Sequence, residues 1–300
     1  MFTAKFHLAM YFVLQVILVH AGLGLADESA IDVIQPSVDI ARSIRSYEVN
    51  FHQKSTEIAL APIESTRDEN IHLKIWCDLQ KPEFVAVKRE QVTQEDKKTW
   101  NRYSVYIYAD GKLRTNTNPG LVNAQKVGFD TFRSTSRLPY PELCGFGSIP
   151  IGLSETNDSF LDNLLRLESA VVKRLPDGTP TILLRVEVEG IEATKSLMFD
   201  KKTLSPSKVS MNVGSFWTQV CSIMRHDVNN VPVPKQIRIS TDQKDPKVPN
   251  GPHIKHSDQW VEFDWKSVNQ PIDFPVHEEL LKLKDVEIDK LLEIEKEEPE

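Results

Sequence analysis

Cysteine, glycine and clustered positive charge are all scarce in this chain. Its 300 residues include twelve glycines and three cysteines, Cys77, Cys144 and Cys221. Three widely spaced cysteines exclude a disulfide-rich scaffold and a C-x-x-C metal knuckle. The three cysteines allow one disulfide, with three possible pairings. Cys77 and Cys221 share strand spacing with apolar residues, which favours buried thiols at both positions.

No basic cluster marks the sequence. The formal net charge is −7, and the ten acidic and four basic side chains of residues 277–300 contribute −6 of it. The rest of the chain is therefore close to neutral. Because phosphate binding needs clustered lysine and arginine, we expect no nucleic-acid partner.

One long apolar run stands at the N-terminus. Lys5 precedes the apolar stretch Phe6–Leu25, and Gly24-Leu25-Ala26 supplies small residues just before Asp27. This order predicts a secretory signal peptide over residues 1–26. No second run of that length follows, so we expect a soluble mature chain without a transmembrane segment. The chain is then organised as the signal peptide, a single domain over 27–275 and an acidic, partly helical tail over 276–300.

In the rest of the sequence, the spacing of apolar residues separates helices from strands. Apolar spacing predicts an amphipathic helix within 31–46, starting at Pro36-Ser37, and a second helix over Ser159–Ala170. Elsewhere apolar and polar residues alternate, except in the irregular, Pro- and Gly-rich stretch 118–158 and in the charged, Pro-rich segment 241–258, which we interpret as a loop. Asp110-Gly111 separates two strand patterns as a tight type I′ turn. About ten strands with short connections and two or three helices predict a mainly β (α+β) fold with one large curved antiparallel sheet.

Four segments carry short patterns of one known family. They are Met198–Pro206 (a strand, then Asp-x-x-Thr-Leu-x-Pro), Ser222–Met224, Val231–Ile237 and Trp265–Asp273. In these segments the chain resembles the bacterial LolA/LolB-like group of exported proteins, which carry or bind lipoprotein acyl chains. The resemblance implies an open, incomplete barrel whose apolar concave side is plugged by helices.

Several strands carry apolar residues on both faces, which indicates either cover on both faces or an apolar cavity. The clearest are 103–108, 182–188 and 216–224. Together with the resemblance, they predict an apolar ligand site on the concave face. Its predicted residues are Ile75, Tyr106, Leu184, Val186, Met211 and Trp217. The alternative is ordinary filled core beneath the helices.

No catalytic residue, metal ligand or cofactor is predicted. The Gly-x-Ser-x-Gly motif is absent, and Cys144-Gly145-Phe146-Gly147-Ser148 lacks a Walker lysine. His253 and His256 stand three apart in a segment that we interpret as an exposed loop without metal. The sequence therefore predicts an exported bacterial protein, periplasmic or secreted, that is not an enzyme and binds a lipid or acyl chain. A structural or protein-interaction module is the alternative.

The acidic tail carries its own apolar pattern. Leu281, Ile288, Leu291 and Leu292 are spaced to form a helical stripe, which we expect to dock on the sheet or on a partner protein. Beyond Glu293, where Glu and Lys dominate, the pattern predicts a frayed and solvated helix end.

Overall fold

Thirteen β-strands form one antiparallel sheet in the computed structural model, which describes residues 29–60, 64–94, 98–117, 122–136, 138–144, 170–188, 191–245 and 252–294. The first meander comprises β1 (Ser46–Ala59), β2 (Ser65–Asp78), β3 (Glu83–Gln94), β4 (Thr99–Ala109), β5 (Lys112–Asn116) and β6 (Val122–Lys126). The second comprises β7 (Val171–Arg174), β8 (Pro180–Val188), β9 (Ile191–Phe199), β10 (Pro206–Val213), β11 (Trp217–Val228), β12 (Val231–Lys244) and β13 (His253–Val268).

Short helices accompany the sheet. Within the described ranges they are α1 (Ala30–Ser43), α2 (Phe129–Thr135), α3 (His277–Leu280) and α4 (Asp285–Leu291), together with one 3-10 turn at Pro141–Leu143. The helix predicted over Ser159–Ala170 lies outside the described residues, and so does the predicted signal peptide.

The two meanders meet in the middle of the sheet. The strand order is β6-β5-β4-β3-β2-β1-β13-β12-β11-β10-β9-β8-β7, with β1 paired to β13 along almost its whole length. Short connections between consecutive strands force antiparallel pairing. The sheet is not closed, since its edges are β6 and β7. An open antiparallel sheet with a few helices is the fold class that the sequence predicted.

Tight turns close the hairpins where the sequence signals them. Asp110 and Gly111 have φ angles of 52° and 71°, as a type I′ turn between β4 and β5 requires. Asn229 and Asn230, with φ angles of 52° and 63°, make the corresponding turn between β11 and β12. The hairpin predicted at Asp110-Gly111 is confirmed.

Replacing Gly111 with valine should destabilise the protein by about 1 kcal/mol or more, because a β-branched residue is poorly tolerated at positive φ. The space around Gly111 is open, with no heavy atom within 4 Å of an added Cβ, so the effect would come from backbone strain alone. Urea denaturation measures it. Lys112→Val is the matched control, because the exposed Lys112 is the first residue of β5 and valine suits a strand. Equal stabilities of the two variants would contradict the prediction.

The first helix begins earlier than predicted. Ser29, not Pro36, is the start signal: its side chain accepts a hydrogen bond from the Asp32 amide, and Pro36 lies inside the helix. A proline there removes one main-chain hydrogen bond. The helix nevertheless continues, because Val38 and Ala41 beyond the proline are buried and extend its apolar face.

The charged segment 241–258, predicted as a loop, is mostly strand. β12 continues to Lys244, β13 starts at His253, and Asp242 pairs with His256 in the ladder. Polar composition misled the prediction because a long hairpin can extend its main-chain ladder with polar side chains on both faces. The irregular stretch predicted after residue 118 likewise holds β6, α2 and the 3-10 turn.

Two separate hydrophobic clusters cover the two faces of the sheet. We call the face that packs on α1, α2 and the 3-10 turn the inner face, and the opposite one the outer face. The inner cluster joins helix residues such as Val38 and Phe132 to strand residues such as Phe51, Phe84 and Phe263. The outer cluster joins the tail to β2, β3 and β4. For β4, apolar residues on both faces therefore reflect cover on both faces.

The C-terminal tail docks on the outer face. Leu280, Leu281, Ile288 and Leu292 are buried there against Trp76, Val85, Val87, Val105 and Ile107. Polar contacts flank this cluster: Asn116 donates to the Leu281 carbonyl at 3.0 Å, and Arg114 contacts Glu278. Of the four residues predicted to form a helical stripe, Leu281, Ile288 and Leu292 are buried on the sheet and Leu291 packs against them. They do not lie on one helix, since the tail forms two short helices and Leu281 directly follows the first.

Candidate functional site

Five of the six residues of the predicted ligand site, all but Val186, have side chains on the inner face. Paired residues of antiparallel strands point to the same face, and the ladder connects Ile75 to Ala86 and Ala86 to Tyr106. In the second meander, Lys195 pairs with both Leu184 and Met211. Val186 follows Leu184 by two residues, and Trp217 pairs with Val213, two residues after Met211.

Their burial separates these residues into two kinds. Ile75 is fully buried and Leu184 is 3% exposed, so both belong to the packed core. Tyr106 is partly buried against that core, whereas Met211 and Trp217 are half-buried and lie outside it. For Val186 only the main-chain pairing with Ala193 is described. Met211 and Trp217 are thus the predicted residues that a ligand could reach most readily.

The six residues lie on both halves of the sheet. Ile75 and Tyr106 lie on β2 and β4, and the other four lie on β8, β10 and β11, on the far side of the central β1–β13 pair. What connects them is the inner cluster, which is continuous across both meanders. The candidate site is therefore a surface, the inner face of the sheet, rather than a compact cleft.

Helices and aromatic side chains cover part of this inner face. α1 contributes Val33, Ile34, Val38 and Ala41. The segment 129–144, which holds α2 and the 3-10 turn, contributes an aromatic group: the Phe132 ring lies 5.3 Å from those of Phe84 and Tyr108. We call α1 and the segment 129–144 the plug. It fills the apolar part of the inner face.

A buried ion pair stiffens the plug. Arg133 of α2 and Glu142 of the 3-10 turn are 8% and 5% exposed and contact each other through Nη2 and Oε1. The Arg133 guanidinium also lies over the Tyr140 ring, 4.5 Å from its centroid. The buried Glu142 Oε2 and the Tyr47 hydroxyl have no hydrogen-bond partner in the described part of the chain. Burial and the nearby Cys77 and Glu142 groups raise the pKa of Tyr47, so its hydroxyl stays neutral.

A second, partly buried arginine joins the plug to the sheet. Arg225 of β11 donates to the carbonyl of Cys144 at 2.9 Å, next to the 3-10 turn, and to that of Pro232 at 3.3 Å. Burial lowers the pKa of Arg225 to about 10, since these acceptors are neutral. Sequence reasoning missed this residue. Its only signal was a lone arginine directly after an apolar strand pattern.

The outer face has depressions of its own. One of about 620 Å³ lies beside the end of the tail and is lined by His52, His72, Glu262, Asp264 and Leu292 among others. Another of about 760 Å³ lies over β10 to β12, with Lys202, Met224 and Arg238 in its lining. Charged side chains stand among the lining residues of both depressions, beside apolar ones such as Leu292 in the first and Met224 in the second.

Two histidines of the first depression are stacked. The His52 and His72 rings are 4.2 Å apart and nearly parallel. Burial, with the positive charges of His52, Arg89 and Lys54, lowers the pKa of His72 to about 4. His72 is therefore neutral in the folded protein near neutral pH.

Replacing His72 with glutamine should flatten the acid side of the stability profile. His72 is protonated near pH 6.5 in the unfolded chain but only near pH 4 in the folded protein. Between these pH values the proton binds mainly to the unfolded state and lowers the free energy of unfolding. The contribution of neutral His72 to that free energy is therefore complete above about pH 6.5 and is lost as the pH falls toward about 4. Urea denaturation at about pH 7 and about pH 4.5 measures the difference in unfolding free energy. That difference should be smaller in His72→Gln than in the wild type.

His256→Gln is the control of opposite sign. Hydrogen bonds to Asp242 and Asp258 raise the pKa of His256, so its contribution is present below about pH 6.5 and fades as the pH rises through the folded-state pKa. Without the His256 imidazole, the free energy of unfolding should therefore fall more between about pH 7 and about pH 4.5 than it does in the wild type. Identical profiles for both variants would contradict the assignment of these shifts.

The segment with His253 and His256, predicted as an exposed loop, begins β13 instead. His253 Nδ1 lies 3.3 Å from Asp242 Oδ1, and His256 bonds to Asp242 and Asp258 at 2.8 and 2.9 Å. Both ring nitrogens of His256 are thus engaged by carboxylates. Over the described ranges, no group of three or more His, Cys, Asp and Glu side chains is arranged to hold a metal ion.

The three cysteines are free and buried. Burial raises the pKa of Cys77 and Cys144 and brings that of Cys221 to about 12, so all three are thiols. Such groups are poor nucleophiles. The buried thiols predicted at Cys77 and Cys221 are confirmed.

Comparisons with solved structures give distant matches. A LolA superfamily protein of Nitrosomonas europaea matches with a TM-score of 0.35 and 10% identity, covering 86% of this chain and 99% of the other. A domain of a proposed outer membrane lipoprotein-sorting protein of Vibrio parahaemolyticus matches with a TM-score of 0.38 and 9% identity, covering 85% and 100%. A DUF1329 family protein of Desulfovibrio piger matches with a TM-score of 0.35 and 11% identity, covering 82% and 98%.

One of these three proteins is named as a member of the LolA superfamily. Likeness at this level carries no argument about function. Protein-family models and curated proteins gave no match. Across the described residues, no helix has both the length and the apolar character to cross a membrane.

Proposed function

We propose that the protein is exported, is not an enzyme, and binds an acyl chain or a similar apolar ligand on the inner face of its open sheet. The observation that carries this proposal is the plug. An apolar sheet face lies beneath short helices that meet it through apolar side chains and through single hydrogen bonds, such as that from Arg225 to Cys144. Such a cover can shift without breaking the sheet ladder.

The energetics favour a long apolar ligand. Each methylene removed from water contributes about 0.8 kcal/mol, so eight of them contribute about 6 kcal/mol. A ligand chain can therefore replace apolar contacts that the plug gives up when it moves. The half-buried Met211 and Trp217 mark the part of the inner face where such a chain would enter.

A structural or protein-interaction module is the second candidate, and one observation favours it. Ile75 and Leu184 are already packed in the core, with 0% and 3% exposure. In that case the plug would stay in place and the inner face would hold no ligand. The two candidates differ in whether the folded protein binds an apolar probe.

Binding of cis-parinaric acid, a fluorescent polyene fatty acid, tests the proposal. The wild-type protein should bind it saturably, and Met211→Asp should weaken binding at least about tenfold, because a charge would face the apolar chain. Met211 is half-buried, so the variant should still fold, which circular dichroism checks. Asn212→Asp is the matched control, since Asn212 is exposed on the outer face. A folded wild-type protein without saturable binding would reject the ligand proposal in favour of the structural module.

Export has a separate test. The mature protein should begin at or near Asp27, following the small residues Gly24 and Ala26. Intact-mass measurement of the protein recovered from a bacterial periplasm or culture medium gives the answer directly. Retention of residues 1–26 in that material would exclude cleavage at this position.

A further inference from the structure

The inner face changes character along the strands. In β1 its successive positions are Val49, Phe51, Gln53, Ser55 and Glu57, so the face passes from apolar to polar within one strand. The paired strand β2 makes the same change at the same level, from Ile75 and Leu73 through Ile71 to Glu69 and Arg67. The plug covers the apolar end. The polar end is a second surface, directly continuous with the first.

A charged cluster occupies the polar end. We call Arg67, Glu69, Lys88, Glu90 and Arg102 the charged rim. Lys88 Nζ lies 2.8 Å from Glu90 Oε2, and Arg67 Nη2 lies 3.6 Å from Glu69 Oε1. The Lys88 and Glu90 side chains are only 22% and 16% exposed, whereas the Arg67 side chain is 51% exposed and Arg102 is exposed. The centre of the rim is therefore partly buried and its two arginines reach the solvent.

The rim adjoins the apolar end without a gap. Lys88 pairs with Leu73 on one side and with Ser104 on the other, and Leu73 and Ser104 are 2% and 3% exposed. A ligand chain lying along the apolar positions would therefore bring its polar end next to the Lys88 ammonium.

The net charge of the rim indicates which charge the polar end of the ligand carries. Glu57 lies beside Arg67 on this face and pairs with Lys255 at 2.8 Å. With these two included, the four cations Arg67, Lys88, Arg102 and Lys255 outnumber the three carboxyls Glu57, Glu69 and Glu90, so the formal charge is positive even when all three carboxyls are ionised. Burial and the charge of Glu90 raise the pKa of Glu69. Burial also acts on Glu90, but the hydrogen bond and charge of Lys88 outweigh it and lower the Glu90 pKa. Glu69 is thus the carboxyl that is protonated, and so neutralised, more easily when an anion binds nearby.

We infer that the charged rim binds the anionic head group of an amphiphile whose chain lies on the apolar end of the inner face. This inference rests on the proposed function and adds the chemical class of the ligand. A carboxylate and a phosphate share the required chemistry, because both accept charge-assisted hydrogen bonds from ammonium and guanidinium groups. The ligand would then be a fatty acid or an anionic phospholipid rather than a neutral lipid.

The test compares ligands that differ only at the head. Displacement of the uncharged probe N-phenyl-1-naphthylamine from the full chain measures affinities for oleate, methyl oleate, oleylamine and oleyl phosphate. Oleate should bind at least about tenfold more tightly than methyl oleate, which corresponds to one charge-assisted contact. Oleyl phosphate should match or exceed oleate if phosphate is the natural head group, and fall below it if a carboxylate is. Oleylamine should bind no better than the ester.

Lys88→Gln should bring the ratio between oleate and methyl oleate to about one while leaving the affinity for methyl oleate unchanged. Lys74→Gln is the matched control, because Lys74 is also a half-buried strand lysine paired with a glutamate, Glu48 at 3.3 Å, but lies on the outer face. It should keep the wild-type ratio. Arg102→Gln, at an exposed position of the rim, should lower the ratio as well, and it carries the test if Lys88→Gln fails to fold.

The outcomes separate the two proposals. Equal binding of oleate and methyl oleate, tighter binding of oleylamine, or an unchanged ratio in a folded Lys88→Gln protein would overturn the head-group inference while leaving apolar binding intact. Failure of every ligand to displace the probe, or of the probe to bind, would reject the proposed function and the inference with it.

Discussion

Replacing Glu142 with leucine should cost about 3–5 kcal/mol of stability, because it leaves the Arg133 guanidinium buried without its counter-charge. Arg133 is 8% exposed and Glu142 5%, so water reaches neither readily. The loss should appear as a lower midpoint in urea denaturation. By contrast, Glu57→Gln should cost less than about 1 kcal/mol, because the Glu57–Lys255 pair, though only 2.8 Å apart, is 43% and 42% exposed.

The double variant Arg133→Met with Glu142→Leu separates the two components of this effect. It removes the unpaired charge and fills the space with apolar atoms, so it should recover most of the stability that Glu142→Leu loses. A double variant as unstable as the single one would show that the loss comes from packing. A single variant as stable as the wild type would contradict the burial of the pair.

Replacing Ile288 with aspartate should release the C-terminal tail from the outer face. Ile288 is 3% exposed in the outer cluster, and an unpaired charge buried there would cost several kcal/mol, about 3–5 by analogy with broken buried ion pairs. The protein can avoid this cost by undocking the tail, so the measured loss cannot exceed the free energy of docking. Undocking would expose Trp76, Val85 and Ile107. Cleavage of the tail by a protease under native conditions should become at least about tenfold faster.

Val286→Asp is the matched control. Val286 lies in the same helix and is 55% exposed, so the new charge would stay in water and the tail should remain docked. Binding of the dye ANS gives a second readout, since it should rise in Ile288→Asp only. Equal protease resistance of the two variants would show that the tail does not depend on this cluster.

Local signals predicted much of the fold. Asp110-Gly111 and the apolar runs 103–108 and 216–224 are properties of a few neighbouring residues, and the turn, β4 and β11 appear in the structure where they were expected. The same kind of signal failed where polar residues form a strand. His253 and Asp258 look like a loop in sequence, yet their main-chain groups pair with β12, and that pairing depends on a partner strand.

The candidate site shows the same division. Alternation groups Ile75 with Leu73 and Leu184 with Ile182 on one face of each strand, because side-chain direction has a period of two. It could not say which apolar residues are packed and which are half-buried, since the plug decides that. Sequence reasoning missed Arg133 and Arg225. The partner of Arg133 is Glu142 in another element, and Arg225 donates to main-chain carbonyls, whose positions depend on the folded chain.

The sequence by itself determined the class of this protein: mainly antiparallel sheet, with turns at glycine, asparagine and aspartate and apolar residues at helical spacing in the acidic tail. These features depend on local backbone preference and on the period of apolar residues, both of which are readable from neighbours. Only the tertiary structure decided which face each helix covers, that the tail packs against the outer face of β2 to β4, and that charges of β2, β3 and β4 meet in one rim. Those are contacts between residues distant in sequence, and their energy exists only once the strands are paired in register.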